Sequence, residues 1–222
     1  GVALPGFIDS MRGEVLWSAV LKPTRLSTPA PIGEALTEAL GVPVFIENDA
    51  NMLALAEQWF GQAARTGNVA VVTLEHGLGL GLVVNGELYR GHAGLAGELA
   101  HVQVAFDGLA CRCGKHGCLE AYVAHYAIVG QGQRAGLVPE GPMPPEGVVE
   151  AYGQLATLAR EGNAQARRIF EDQGRLLGQW IANVVNLMAP QLVLLDGGGT
   201  IASDLYEPAL RAAMNQALLL PH

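Results

Sequence analysis

All three cysteines of this chain fall between Cys111 and Cys118, in the run Cys111-Arg112-Cys113-Gly114-Lys115-His116-Gly117-Cys118. A secreted disulfide framework uses an even number of cysteines at wide spacing. An odd, tight group of soft thiolate ligands instead suits a metal ion held in a reducing compartment, which places the chain in the cytoplasm. Gly114 and Gly117 let the backbone fold around an ion. A closed tetrahedral zinc site needs a fourth ligand, and the residues alone offer His101, His116, His125 and others. Such an ion has no open position for water, so it would be structural rather than hydrolytic. The bland alternative, three ordinary reduced thiols, leaves the clustering unexplained.

The rest of the chain alternates strand-like and helix-like patterns. Val2–Leu4 reads as a strand ended by Pro5-Gly6, and Gly13-Glu14-Val15-Leu16 as a turn into a second. Residues 23–31 are rich in Pro, Thr and Ser and read as a loop. Ile32–Leu40 has helical spacing and stops at Gly41. Residues 42–46 form a short β-branched run broken by Glu47-Asn48-Asp49. Ala50–Phe60 is a helix with Asn48 or Asp49 as its N-cap. Residues 69–74 and 80–84 read as paired strands across a glycine-rich turn, and Asn85-Gly86 marks a hairpin. Residues 91–97 read as a loop and 101–105 as a strand. Further helices are expected from about Leu119, over 146–160 and over 163–188. A strand at 192–195, the turn Gly197-Gly198-Gly199 and a last helix follow. Trp59, Phe170 and Trp180 sit at helical spacing and read as core. Strands mixed with helices indicate an α/β fold.

Composition narrows the partners. Half of the 222 residues are hydrophobic, 15% are charged and the net charge is −8. That balance describes a folded chain with a large core, and an acidic one does not grip DNA by itself. No uncharged run of about 18 apolar residues marks a membrane span, and the N-terminus lacks the basic flank and cleavage site of a signal peptide. The chain opens on a strand without an initiator Met and ends at Leu-Leu-Leu-Pro-His without a polar tail. We therefore expect a piece cut from a longer protein.

Several motifs together resemble the ROK family (repressors, open reading frames, kinases). They are Gly97-Glu98-Leu99-Ala100-His101, the run Cys111-x-Cys113-Gly114-x-x-Gly117-Cys118-Leu119-Glu120, and Glu47-Asn48-Asp49-Ala50-Asn51. Leu78-Gly79-Leu80-Gly81, Asn85-Gly86 and Tyr89-Arg90-Gly91 also match, and the likeness is densest over 44–124. The resemblance implies a two-lobed actin-like ATPase (ribonuclease H-like) α/β fold. Residues 1–65 would be the remainder of a first lobe incomplete at its N-terminus. Residues 66–222 would be the second lobe, with a sugar cleft between the two. It implies structural zinc on His101, Cys111, Cys113 and Cys118, and a sugar contacted by Gly6, Asn48, Asp49, Glu98, His101 and Glu120. Carboxylates and an amide can bond pairs of hydroxyls, and His101 can ligate through one nitrogen and meet the sugar through the other. Set against these roles, Asp49 could simply cap a helix, Glu98 be a loop carboxylate and Glu120 favour a helix start. The resemblance further implies a homodimer or higher homo-oligomer, with the apolar helix around Trp180 to Met188 offering packing surface.

The family's kinases would use Asp49 as general base, with ATP and magnesium cradled by Gly77, Gly79, Gly197 and Gly198. Where those kinases carry Gly-Thr-Gly, this chain reads Glu75-His76-Gly77. A carboxylate there repels a triphosphate; at about 4 Å the cost is several kcal/mol at intermediate dielectric. The family's regulators depart from the kinase pattern at this place and bind operator DNA through a winged helix outside the part seen here. We therefore expect a sugar-responsive regulator, with an ATP-dependent hexose kinase of glucokinase type as the alternative.

Overall fold

The computed structural model describes residues 1–19, 21 and 28–219. Of the loop expected over 23–31, residues 23–27 lie outside the described residues. Contacts divide the chain into two units. One comprises Gly1–Val72, Gly79–Leu99 and Gln191–Leu194; the other comprises Thr73–Leu78, Ala100–Pro190 and the residues from Leu195 onward.

In the first unit, β1 (Val2–Leu4) pairs in parallel with β4 (Ile46–Asn48), and β2 (Phe7–Asp9) pairs antiparallel with β3 (Glu14–Trp17). Ile8, Val15 and Ile46 form a core here, covered by Val2, Leu4, Ile32, Leu36 and Val44. Helix α1 (Ile32–Leu40) ends at Gly41, which enters the left-handed region and donates its N–H to the Thr37 carbonyl. The strand expected over 42–46 is displaced to Ile46–Asn48. Val42 and Phe45 are exposed and Pro43 has no N–H to give a ladder. Glu47 and Asn48, read as breakers, pair with Ala3 and Leu4.

Helix α2 (Asp49–Phe60) starts where expected, with Asn48 as its cap. Strands β5 (Val69–Leu74), β6 (Leu78–Val84), β7 (Glu87–Leu88) and β8 (Leu192–Asp196) form one sheet in the order β7-β6-β5-β8. The strand ends at 73–74, 78 and 195–196 are counted with the second unit. Ala54 of α2 packs on Val69, Val71 and Val83. The helix sits so close that a Cβ on Gly81 would lie 2.5 Å from the Ala50 carbonyl oxygen and 2.6 Å from the Ala54 Cβ. Trp59, expected in the core, is 62% exposed; the core face of α2 is built from its small residues.

The second unit is mainly helical: α3 (Glu120–Val123), α4 (His125–Arg134), α5 (Pro145–Arg160), α6 (Ala164–Met188) and α7 (Ser203–Ala217). Proline at the first position of α5 and Asn163 capping α6 set two of these starts. Phe170 is fully buried and meets Tyr152 edge-on, with ring centroids 5.4 Å apart. His125 stacks against Tyr152, with ring centroids 4.1 Å apart. The strand expected over 101–105 is absent. Leu99–His101 is a 3-10 turn and Gln103 makes a single bridge to Cys118, so the segment follows the cysteine loop rather than a sheet. No helix among the described residues is long and apolar enough to cross a membrane.

Candidate functional site

The first unit carries a polar cluster at the β4–α2 junction. Asn48 Oδ1 accepts from the Asn51 N–H at 3.1 Å, and its Nδ2 donates to the Gly6 carbonyl at 3.1 Å. Gly6 therefore meets Asn48 directly. Asp49 is exposed at the first position of α2, its Oδ1 accepting from the Ala50 N–H at 3.0 Å. Glu47, given no role by the sequence, is the buried support of the cluster. Its Oε1 accepts from the Asn48 N–H at 2.9 Å and from Asn51 Nδ2 at 3.1 Å, while Oε2 takes the Arg90 Nε at 2.6 Å. That ion pair links residues 43 positions apart, so local pattern could not reveal it. Glu98 is half-buried and follows Gly97, which lies against the Leu80 carbonyl.

The second unit carries the cysteine cluster. The ligand atoms of His101, Cys111, Cys113 and Cys118 all lie within 4.8 Å of one another. Donors about 2.0–2.3 Å from a tetrahedral zinc stand about 3.5–3.8 Å apart. Cys113 Sγ and Cys118 Sγ are 3.7 Å apart, and Cys111 Sγ and His101 Nδ1 are 3.6 Å apart. The cluster therefore fits a four-coordinate ion, and His116 and His125 are not part of it. Burial pushes the Cys111 and Cys118 thiols up, so they need a cation to hold them as thiolates. The loop depends on Gly117, which has φ +73°; a Cβ there would strike the Ala105 carbonyl oxygen.

Two residues after Cys118, the buried Glu120 opens α3. Its Oε2 accepts from the Leu78 N–H at 3.4 Å and its Oε1 from the Tyr126 hydroxyl at 3.3 Å. Burial raises its pKa, opposed by the Leu78 N–H and by Arg112. A Cβ on Gly77 would lie 3.1 Å from Glu120 Oε2.

The glycine turn after β8 is occupied by the protein itself. Glu75 Oε1 accepts from the Gly198 N–H at 2.8 Å. Cβ atoms built on Gly197 and Gly198 would lie 3.0 and 3.3 Å from the Glu75 side chain. The Glu75 carbonyl also accepts from the His125 N–H at 3.1 Å. Gly77, Gly197 and Gly198 thus all belong to the second unit, whereas Gly79 is counted with the first.

Strands and helices in this order, with these two polar clusters, define an α/β protein of the actin-like ATPase class. Residues 1–221 match the ROK family, and the chain belongs to that family. It is 30% identical over 221 residues to the xylose repressor of Caldicellulosiruptor bescii, covering 97% of this chain and 54% of the repressor. The chain therefore spans about half the length of that relative. Among solved structures, a ROK family glucokinase from Streptomyces griseus in complex with glucose and AMPPNP matches with a TM-score of 0.82 and 30% identity. The match covers all of this chain and 72% of the glucokinase. A ROK family transcriptional regulator, homologous to the Escherichia coli MLC protein, matches with a TM-score of 0.79 and 31% identity. It covers 98% of this chain and 54% of the regulator.

Proposed function

We propose that this chain is the effector-binding core of a sugar-sensing transcriptional regulator. One observation carries that reading: the Glu75 carboxylate holds the Gly198 N–H at 2.8 Å. A nucleotide phosphate approaching that turn would have to displace an anion already hydrogen-bonded there. Charge-assisted bonds of this kind are the stronger ones, although the exposure of Glu75 weakens this one. The likeness to a xylose repressor and to a transcriptional regulator, at 30% and 31% identity, is compatible with this reading and is matched by an equal likeness to glucokinases.

In this reading the sugar hydroxyls are taken by Gly6, Asn48, Asp49, Glu98, His101 and Glu120. Asn48 and Glu120 are already held by named partners, so they meet a ligand with little freedom left to lose. His101, Cys111, Cys113 and Cys118 hold a structural zinc. Bound there, the ion would stiffen the loop that leads into Glu120 and fix the His101 ring through Nδ1. Operator DNA is bound by a part of the protein outside this chain, and the protein acts as a homodimer or higher homo-oligomer. Leu187 and Met188, exposed at the end of α6, are apolar surface for that contact.

The ATP-dependent sugar kinase remains the second reading, favoured by the likeness to a glucokinase holding glucose and AMPPNP. Asp49 would then be the general base, with Mg-ATP at Gly77, Gly79, Gly197 and Gly198. It requires Glu75 to leave Gly198.

The test of the regulator reading is a DNA-binding titration with the full-length protein and its own upstream region. A ligand shifts such an equilibrium only by its differential affinity for the two states. At least one sugar among glucose, xylose and related monosaccharides should change DNA affinity. DNA binding unaffected by every sugar, or absent altogether, overturns the reading.

A further inference from the structure

Arg90 reaches two segments of the first unit that carry sugar-site residues, one through its side chain and one through its backbone. Its Nε donates to Glu47 Oε2 at 2.6 Å. The other oxygen of that buried carboxylate accepts from the Asn48 N–H at 2.9 Å and from Asn51 Nδ2 at 3.1 Å. Asn51 in turn gives its N–H to Asn48 Oδ1. The Arg90 side chain thus ends a chain of bonds that sets the Asn48 amide and the first turn of α2, where Asp49 stands. The Arg90 carbonyl accepts from the Ala96 N–H at 2.9 Å, which closes the loop 90–96 two residues before Glu98. Arg90 is itself placed by the sheet, because the N–H of its neighbour Tyr89 donates to the Leu82 carbonyl of β6 at 2.8 Å. Between its ends the loop rests on β2. Gly94 has φ +75°, and a Cβ there would strike the Ile8 carbonyl oxygen. All of these residues belong to the first unit.

We propose that Arg90 is a positioning residue of the sugar site: it holds the Asn48–Asp49 corner and the Gly97–Glu98 segment in register, so that both meet the hydroxyls of one sugar. The inference rests on the sugar-sensor reading and adds to it a residue that touches no sugar. A carboxylate bonded by three donors has its orientation fixed, and the bond from Arg90 is charge-assisted. Without Arg90, the buried Glu47 would keep an uncompensated charge. Turning its carboxylate toward water relieves that charge only by releasing Asn48 and Asn51. The corner and the Glu98 loop would then move independently, and sugar binding would have to order both. Chain continuity cannot supply this link, since Glu47 and Arg90 are 43 positions apart.

The test is calorimetric titration of the full-length protein with glucose, mannose, xylose and N-acetylglucosamine, with thermal midpoints measured beside it. Arg90→Met alone strands the Glu47 charge and can unfold the chain. It is therefore also made with Glu47→Gln, which removes that charge and keeps an acceptor for Asn48 and Asn51. The sugar that binds the wild type most tightly should bind the folded double variant about tenfold or more weakly, the scale of ordering two side chains on binding. Arg90→Lys keeps a cation for Glu47 and should restore most of the affinity. Asp49→Asn and Glu98→Gln, each made in the wild type and in the double variant, give a readout that a merely structural ion pair would not move. Each should cost less in the double variant, by about threefold or more, because a misplaced carboxylate has less binding to lose. Unchanged sugar affinity in the double variant, or equal costs in the two backgrounds, overturns the positioning role while the sugar reading stands. If the wild type binds none of the four sugars, the sugar reading falls and the positioning role with it.

Discussion

Glu75 Oε1 and the backbone N–H of Gly198 meet at 2.8 Å, joining residues 123 positions apart. The contact puts a side-chain anion on a glycine turn of the kind that receives phosphate in nucleotide-binding proteins. Removing the side chain and neutralising it are separable changes. Glu75→Gly should uncover the amide and improve Mg-ADP binding by about tenfold or more, the scale of one charge-assisted hydrogen bond. Glu75→Gln keeps an acceptor in place and should improve binding less. Fluorescence titration with a labelled nucleotide checks both, and unchanged affinity in Glu75→Gly would remove the blocking role.

The cysteine cluster predicts a metal and a dependence of Glu120 upon it. Freshly purified protein should carry close to one zinc per chain by elemental analysis, with Zn–S distances of about 2.3 Å by X-ray absorption. Cys113→Ala should lower the zinc content and weaken sugar binding, because the loop leading into Glu120 loses one of the four side chains proposed to hold the ion. Cys113 makes that prediction pointed, because it is assigned no sugar contact. Full sugar affinity in metal-free protein would contradict it.

How far the sequence led differs from place to place. The clustering of the cysteines, the Asn48 cap and the Asn85-Gly86 turn were legible because each is a local pattern completed within a few residues. The family likeness rests on the same short motifs. The strand expected over 101–105 failed because alternation alone does not supply a partner strand, and that segment follows the cysteine loop, with Gln103 making a single bridge to Cys118. Phe7–Asp9 escaped notice because three residues after Pro5-Gly6 carry no periodicity. Trp59 was misplaced because helical spacing marks a face, while the depth of that face depends on what packs against it. Glu47 with Arg90, and Glu75 with Gly198, depend on folding distant segments together.

His125 yields a pH prediction. It is 1% exposed, stacks on Tyr152 and has no partner for either ring nitrogen among the described residues. Burial, and then His76, lower its pKa to about 4. Between that value and the unfolded value near 6.5, the unfolded chain binds a proton that the folded chain does not. Stability from this residue is therefore full above about pH 6.5 and is lost as pH falls toward about 4, at most about 3 kcal/mol in all. His125→Phe keeps the stacking without the titration. Its thermal midpoint should fall less than that of the wild type between pH 6.5 and 4.5. Parallel curves for the two proteins would show that His125 does not titrate in this way.

A regulator of the kind proposed senses the sugar without phosphorylating it. The direct measurement follows ADP release from full-length protein given Mg-ATP and a panel of hexoses and pentoses, with Asp49→Asn beside it. No sugar-dependent ADP release is expected from either protein. In Asp49→Asn, sugar binding should weaken by about ten- to a hundredfold, because a hydroxyl loses an ionised acceptor. Sugar-dependent ADP release that Asp49→Asn abolishes, with binding largely retained, would make Asp49 a general base and the protein a kinase.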